Sequence, residues 1–277
     1  MARILAAFAA PLLALSLLAP APTAHASEAA ELYDVMRLGD ILEIMREEGL
    51  AYGEELREEM FPGQGATGWP RVVGRIYALD RMEVEFLASF EDAVGDRDVS
   101  ALIDFFSSPR GRDIIEFEVS ARRALLDESI EDTARQIWKD LEGELDPRRD
   151  LIDRFVDAND LIEANVAGAM NSTLAFYEGL ATSEAFGTDW TTDRILSTVW
   201  EQEAEIRADT RDWIYPYLTL AFEPLPSEDI EAYIALSESE PGEALNAALF
   251  AAFDVLFVNI SREMGEAAAL YLEGEDI

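Results

Sequence analysis

The stretch DVSALIDFFSSPRG at residues 98–111 recurs as DIEAYIALSESEPG at residues 229–242, at a constant offset of 131. Asp98/Asp229, Ala101/Ala232, Ile103/Ile234, Ser108/Ser239 and Gly111/Gly242 are identical, and Val99/Ile230 and Phe105/Leu236 are similar. Self-similarity at a fixed spacing points to an internal repeat. Each copy places apolar residues at helical spacing, then a serine suited to cap the next helix, with Pro109 at the first helical position of the first copy. Gly111 and Gly242 fall in that first turn, where glycine is a weak helix former. They predict either a close approach by another helix or a tight corner. Asp96 and Ser227 align as caps for the short helix that precedes each serine.

A second pair of matches lies upstream. Leu32-Tyr-Asp34 pairs with Leu151-Ile-Asp153, and Asp40-Ile-Leu-Glu43 with Asp160-Leu-Ile-Glu163, at offsets of 119 to 120. Asp40-x-x-Glu43 and Asp160-x-x-Glu163 read as capping boxes. Gly39 and Asn159 just before them read as left-handed helix ends.

Between these marks the pattern is helical. Val35, Leu38, Ile41, Leu42 and Met45 form one apolar stripe, and Ile114, Phe117, Ala121, Ala124 and Leu125 another. Neither stretch alternates as a half-buried strand would. Residues 61–70 read as a loop, and Gly187, Pro216, Pro224, Pro226 and Pro241 punctuate the later helices. Residues 247–260 carry only Asp254 as a charge. They are too few to span a bilayer and predict a buried core helix. The expected fold is all-α, a helical bundle of two tandem, pseudo-symmetric repeats covering residues 27–146 and 147–277.

Residues 1–26 have the parts of a secretory signal: Arg3, an apolar run from Ile4 to Leu18, and Ala24-His25-Ala26 as the cleavage site. The expected location is periplasmic or secreted, after cleavage behind Ala26, with no membrane span left in the mature chain. The sole histidine leaves with the signal, and cysteine is absent. That removes histidine- and cysteine-dependent nucleophilic catalysis, zinc and haem ligation, and disulfides. No glycine-rich phosphate loop and no complete calcium loop is present, so no metal or cofactor is expected.

The mature chain has 20 basic residues against 57 acidic ones, a net charge of −37, with Lys139 the only lysine. Such a chain repels nucleic acid and anionic lipid headgroups. It suits a saline medium, cationic partners or divalent cations. Hydrophobic residues make up 49% of the whole chain, enough for a packed core despite the charge.

Six residues are candidates for ligand contact. Asp254 interrupts an apolar stripe; the simplest expectation is a pairing with an arginine, the sharper one a ligand contact in a pocket. Arg110 and Arg112 flank Gly111 at a helix N-terminus, where an anion is favoured, although ion pairs with the abundant surface acids are the simpler account of them. Trp190, Trp200 and Trp213, with Tyr215 and Tyr217, form an aromatic concentration that is more simply core than a ligand wall. Clustered acids such as Glu201, Glu203 and Glu205 read as a solvated face rather than a catalytic pair.

Residues 102–111, LIDFFSSPRG, resemble the signature of a family of exported bacterial proteins known as domain of unknown function 2059. The resemblance covers residues 31–145. The copy from Leu151 onward diverges, with Ser237 in the place of Phe106 and proline moved to Pro241. It implies a small all-helical fold and an envelope location, and brings no catalytic residues. The sequence therefore favours a non-enzymatic envelope scaffold or partner-binding module. The second reading is a carrier holding a small apolar ligand in a cavity between the repeats, and the third a carboxylate-based hydrolase.

Overall fold

The computed structural model describes residues 24–62, 68–141, 147–182 and 191–272. Residues 1–23, Trp190, Gly187 and part of the 61–70 loop lie outside that set, and so does most of the signal reading. The chain is all-α, with no strand among the described residues. The first half runs α1 (Ala24–Val35), α2 (Leu38–Met60), α3 (Trp69–Ile76), α4 (Leu79–Val94), α5 (Ser100–Ser107), α6 (Pro109–Ala124) and α7 (Glu128–Leu141). The second half runs α8 (Pro147–Ala158), α9 (Leu161–Leu180), α10 (Thr192–Glu201), α11 (Glu203–Phe222), α12 (Ser227–Ser237) and α13 (Glu240–Leu272).

The two serine corners have the same local structure. Ser108 Oγ accepts from the Gly111 amide at 3.1 Å and Ser239 Oγ from the Gly242 amide at 3.2 Å. Each hydroxyl in turn donates to a carbonyl of the preceding helix, Phe105 in one case and Leu236 in the other. A Cβ on Gly111 or Gly242 would run into that same carbonyl oxygen. The glycines are therefore there for a tight corner, not for the approach of a distant helix.

The other caps differ from expectation. Neither Asp40 nor Asp160 caps through its side chain. The left-handed residues are Arg37 (φ 53°) and Asp160 (φ 48°), rather than Gly39 and Asn159. Non-glycine residues in that region are uncommon, and aspartate tolerates it better than most. The arginine is held by its neighbours: its Nε donates to Asp40 at 2.6 Å and its Nη1 to Glu116. The break between α1 and α2 thus falls three residues before the expected one. The two hinge residues stand 123 apart in sequence, so the upstream matches at 119 to 120 are out of structural register. For the short helix of the first half, Asp98 rather than Asp96 accepts an amide, that of Ser100, at 3.0 Å. In the second half Pro226 occupies the cap position and Ser227 is already helical. Pro216 does not end a helix; it lies buried inside α11.

Two apolar cores form, and each borrows a helix from the other half. The first gathers α1 to α5 around Ala252, Leu256, Ile260 and Met264 of α13. At its far end Trp69 packs edge to face on both Phe61 and Tyr271, and its Nε1 donates to the Gly53 carbonyl at 2.7 Å. The second gathers α8, α9, α11 and α12 around Ile114 and Ala121 of α6. Reciprocally, α4 packs on α13 and α11 packs on α6 and α7.

Helix α13 runs beyond the 247–260 stretch and, by length and composition, is apolar enough to cross a membrane. In this fold it lies between α9 and α4, only partly buried. Its apolar surplus has a local cause. One face enters the first core, and a second face, Asn246, Leu249, Phe250, Phe253, Asp254 and Phe257 at helical spacing, lines a cavity.

Half-exposed ion pairs such as Arg81–Glu263, Arg207–Glu163 and Arg262–Glu178 tie helices together. Pairs of this kind are screened by solvent and contribute little. The unbalanced acids outnumber them, so self-repulsion dominates the surface. The melting temperature is expected to rise from about 0.01 to 1 M salt, as the Debye length shrinks from about 30 to 3 Å. A flat or falling curve in differential scanning calorimetry would show that the charge does not strain this fold.

Candidate ligand-binding site

A cavity of about 780 Å³ lies at the junction of the two halves. Its walls come from α2, α5 and α6 of the first half and α8, α9, α11, α12 and α13 of the second. They are mainly aliphatic and aromatic: Met45 and Ile115 on one side, Leu249 and Phe253 on the other. The volume lies within the usual range for small-molecule sites, which are apolar with a few convergent polar groups.

Here the polar groups converge around Glu118 of α6. Four residues earlier on that helix is Ile114 and three later is Ala121, both buried in the second core. This phase turns Glu118 inward. Its carboxyl interacts with the Tyr233 hydroxyl of α12 and lies near Tyr217 of α11. Burial pushes its pKa up to about 8, while the hydrogen bond from Tyr233 pulls the other way. Near neutral pH the group is therefore mostly the uncharged acid, a hydrogen-bond donor as well as an acceptor. Burial also raises both tyrosines well above their ordinary range, with the Glu118 charge adding to the effect. Both are neutral hydroxyls throughout the working range.

Arg122, one turn beyond Glu118, completes the group. Its Nη2 donates to Glu48 of α2 at 2.6 Å, and its guanidinium lies 4.5 Å over the Trp213 ring. Its Nε is buried and has no hydrogen-bond partner. Buried donors are rarely left in that state.

Of the six sequence candidates, Trp213 and Asp254 line this cavity. Asp254 is half-buried, and among the described residues no arginine pairs with it; it accepts from Asn171 Nδ2 at 2.9 Å. Trp200 is 67% exposed on α10, away from the cavity. Arg110 pairs with Asp229 of α12, and Arg112 donates to the Ser107 carbonyl, so the helix N-terminus they flank is occupied by local contacts. Trp190 is outside the described residues. Tyr217, from the same aromatic concentration as Trp213, lines the cavity as well, whereas Glu118, Arg122 and Tyr233 escape sequence reasoning. One signal was present: a carboxylate in phase with an apolar stripe, the same reasoning that singles out Asp254. Among the described residues no group of three or more acidic, histidine or cysteine side chains could hold a metal ion.

No family model, curated protein or solved structure matches this chain.

Proposed function

We propose that this chain is an exported, non-enzymatic binding protein that carries a small apolar molecule in the cavity between its halves. The observation that carries the reading is the cavity itself: about 780 Å³ of mainly apolar space at the junction, with polar groups around Glu118 and around Asp254. A scaffold that served only through its outer surface would have no use for so large an apolar recess open to solvent, whereas such recesses are where small molecules bind. The scaffold reading favoured by composition therefore takes second place. The N-terminal sequence supports export, and the likeness to domain of unknown function 2059 belongs with that part of the reading.

The same proposal includes tandem duplication. Six elements, α1 to α6 with α7 continuing the sixth, precede six more in the same order. Residues Pro109–Leu141, covering α6 and α7, and Glu240–Leu272, forming α13, each span 33 residues at the offset of 131 that relates the serine corners. The reciprocal exchange of α6 and α13 between cores is what a twofold arrangement of two copies produces. The cavity then lies where the two copies meet, so its walls differ on its two sides and can take an asymmetric ligand.

The test is binding of an environment-sensitive apolar dye to the mature protein, read by fluorescence. One dye per chain is expected. Ala164→Trp and Leu249→Trp, which fill the cavity from α9 and α13, should abolish binding while leaving helicity and the melting transition in place. Dye binding that survives both substitutions, or no binding by a folded protein, overturns the carrier reading. Solvent extraction of protein taken from its native envelope, followed by mass spectrometry, should release one dominant small molecule.

A further inference from the structure

Resting on that reading, we propose that the cavity takes an organic cation: an ammonium head held by Asp254, on an apolar body that fills the space beside it. Among the described residues three charged side chains line the cavity, Glu118, Arg122 and Asp254. Arg122 is spent locally: Glu48 balances its charge at 2.6 Å, and its guanidinium lies over the Trp213 ring. Glu118 has a hydroxyl partner in Tyr233, and burial favours its protonated form. Asp254 is the carboxylate left without a charged partner among the described residues. There its Oδ1 accepts from the neutral Asn171 amide at 2.9 Å, and its Oδ2 accepts nothing.

The surroundings of Asp254 suit a cation better than any other head. Phe250 stands one turn before it on α13 and Phe257 one turn after, and both line the cavity. A head drawn to the carboxylate comes within reach of aromatic rings, which attract cations over their faces. Gly168 of α9 faces Asp254 Oδ1 and carries no side chain to cover it; a Cβ there would lie 3.9 Å away. A neutral body filling the cavity would strip water from Asp254 and leave its carboxylate buried without a counter-charge, which is costly. An anionic head would be repelled by Asp254 and by a chain of net charge −36, and the arginine that could hold it is already paired. A metal ion finds no group of three or more acidic, histidine or cysteine ligands among the described residues. An ammonium supplies the missing charge and a donor for Oδ2, while the rest of the molecule meets the apolar walls.

The experiment displaces an uncharged fluorescent dye from the full mature protein with dodecylamine, dodecanol and dodecanoate at about pH 7, where the amine is an ammonium. Salt at about 1 M, with a Debye length of about 3 Å, keeps the acidic surface from collecting the amine. Dodecylamine should displace the dye at a concentration roughly tenfold below dodecanol, the scale of one charge-assisted hydrogen bond, and dodecanoate should be the weakest of the three. Asp254→Asn keeps the shape and removes the charge. It should weaken dodecylamine about tenfold and tighten dodecanol about threefold, a crossover that a merely damaged fold would not produce. Glu205→Gln removes the same charge from an exposed position at the start of α11 and should keep the preference for the amine. A preference that survives Asp254→Asn, or that is lost in Glu118→Gln or Glu205→Gln instead, would overturn the assignment to Asp254. Preference for dodecanoate would overturn it in favour of an anion site at Arg122. Preference for dodecanol, or equal displacement by all three, would overturn the cation while leaving the apolar carrier reading intact. A folded protein that binds no dye removes both.

Discussion

Gly179→Ala and Gly265→Ala should each lower the melting temperature by about 5–12 °C, whereas Gly74→Ala should leave it unchanged or raise it by a few degrees. In an isolated helix all three changes would be favourable, by up to about 1 kcal/mol, because alanine is the better helix former. The neighbours decide the sign. A Cβ on Gly179 of α9 meets the Arg262 carbonyl and the Glu266 amide of α13, and a Cβ on Gly265 meets the Phe176 carbonyl and the Leu180 amide of α9. Both helices touch backbone to backbone there, so no side chain can swing aside. The helices must separate along the most extensive helix pair in the fold. Overpacking of this kind costs about 1–3 kcal/mol, with more where backbone has to move. Around Gly74 in α3 there is open space. Thermal melts followed by circular dichroism check all three. A neutral Gly265→Ala would mean that α9 and α13 do not cross as closely as described. The double variant should lose less than the sum of the single ones, because one displacement relieves both clashes.

The sequence carries the signals that are local and leaves out those that depend on contact. Ser108 with Gly111, and Ser239 with Gly242, are legible because a cap and a tight corner are settled within four residues. Helical class is legible for a similar reason, since a 3.6-residue period shows itself in any stretch of fifteen. Gly179 and Gly265 are not legible: each looks like an ordinary weak position in a helix, and nothing in the chain links residues so far apart. Arg37 is not legible either. No propensity favours arginine in the left-handed region; it is held there by Asp40 and by Glu116 from a distant helix. Glu118 is the instructive omission. It stands among 57 acidic residues, between Phe117 and Val119, and only its phase relative to Ile114 and Ala121 separates it from a surface acid. Its pairing with Tyr233, and hence its chemistry, exists only once α12 is laid against α6.

The exchange of long helices between the cores leads to the largest expected effect: residues 27–146 expressed alone should not form a stable folded monomer. The first core is completed by α13, whose Leu256, Ile260 and Met264 are almost fully buried, with Leu245 and Tyr271 close behind. Five large side chains at about 1.5–3 kcal/mol each amount to as much as the net stability of a typical domain, about 5–15 kcal/mol. A first half without α13 loses that contribution and exposes the apolar faces of α1 to α5. The piece covering residues 147–277 keeps the α9–α13 pair and lacks Ile114, Ala121 and their neighbours from α6 together with Phe105 of α5 and Trp138 of α7, so it should retain much of its helix but associate through the bare face of α13. Mixing the two pieces should restore the native far-ultraviolet spectrum in a one-to-one complex, measured by titration calorimetry and light scattering. One other product is consistent with the fold. Because α6 and α7 together match α13 in length, the first half could close as a twofold dimer in which each copy's α6–α7 fills the place of α13 in the other. A monomer of 27–146 with its own cooperative melt is the result that would sink the argument, since it would show that the borrowed helix is dispensable to the core that encloses it.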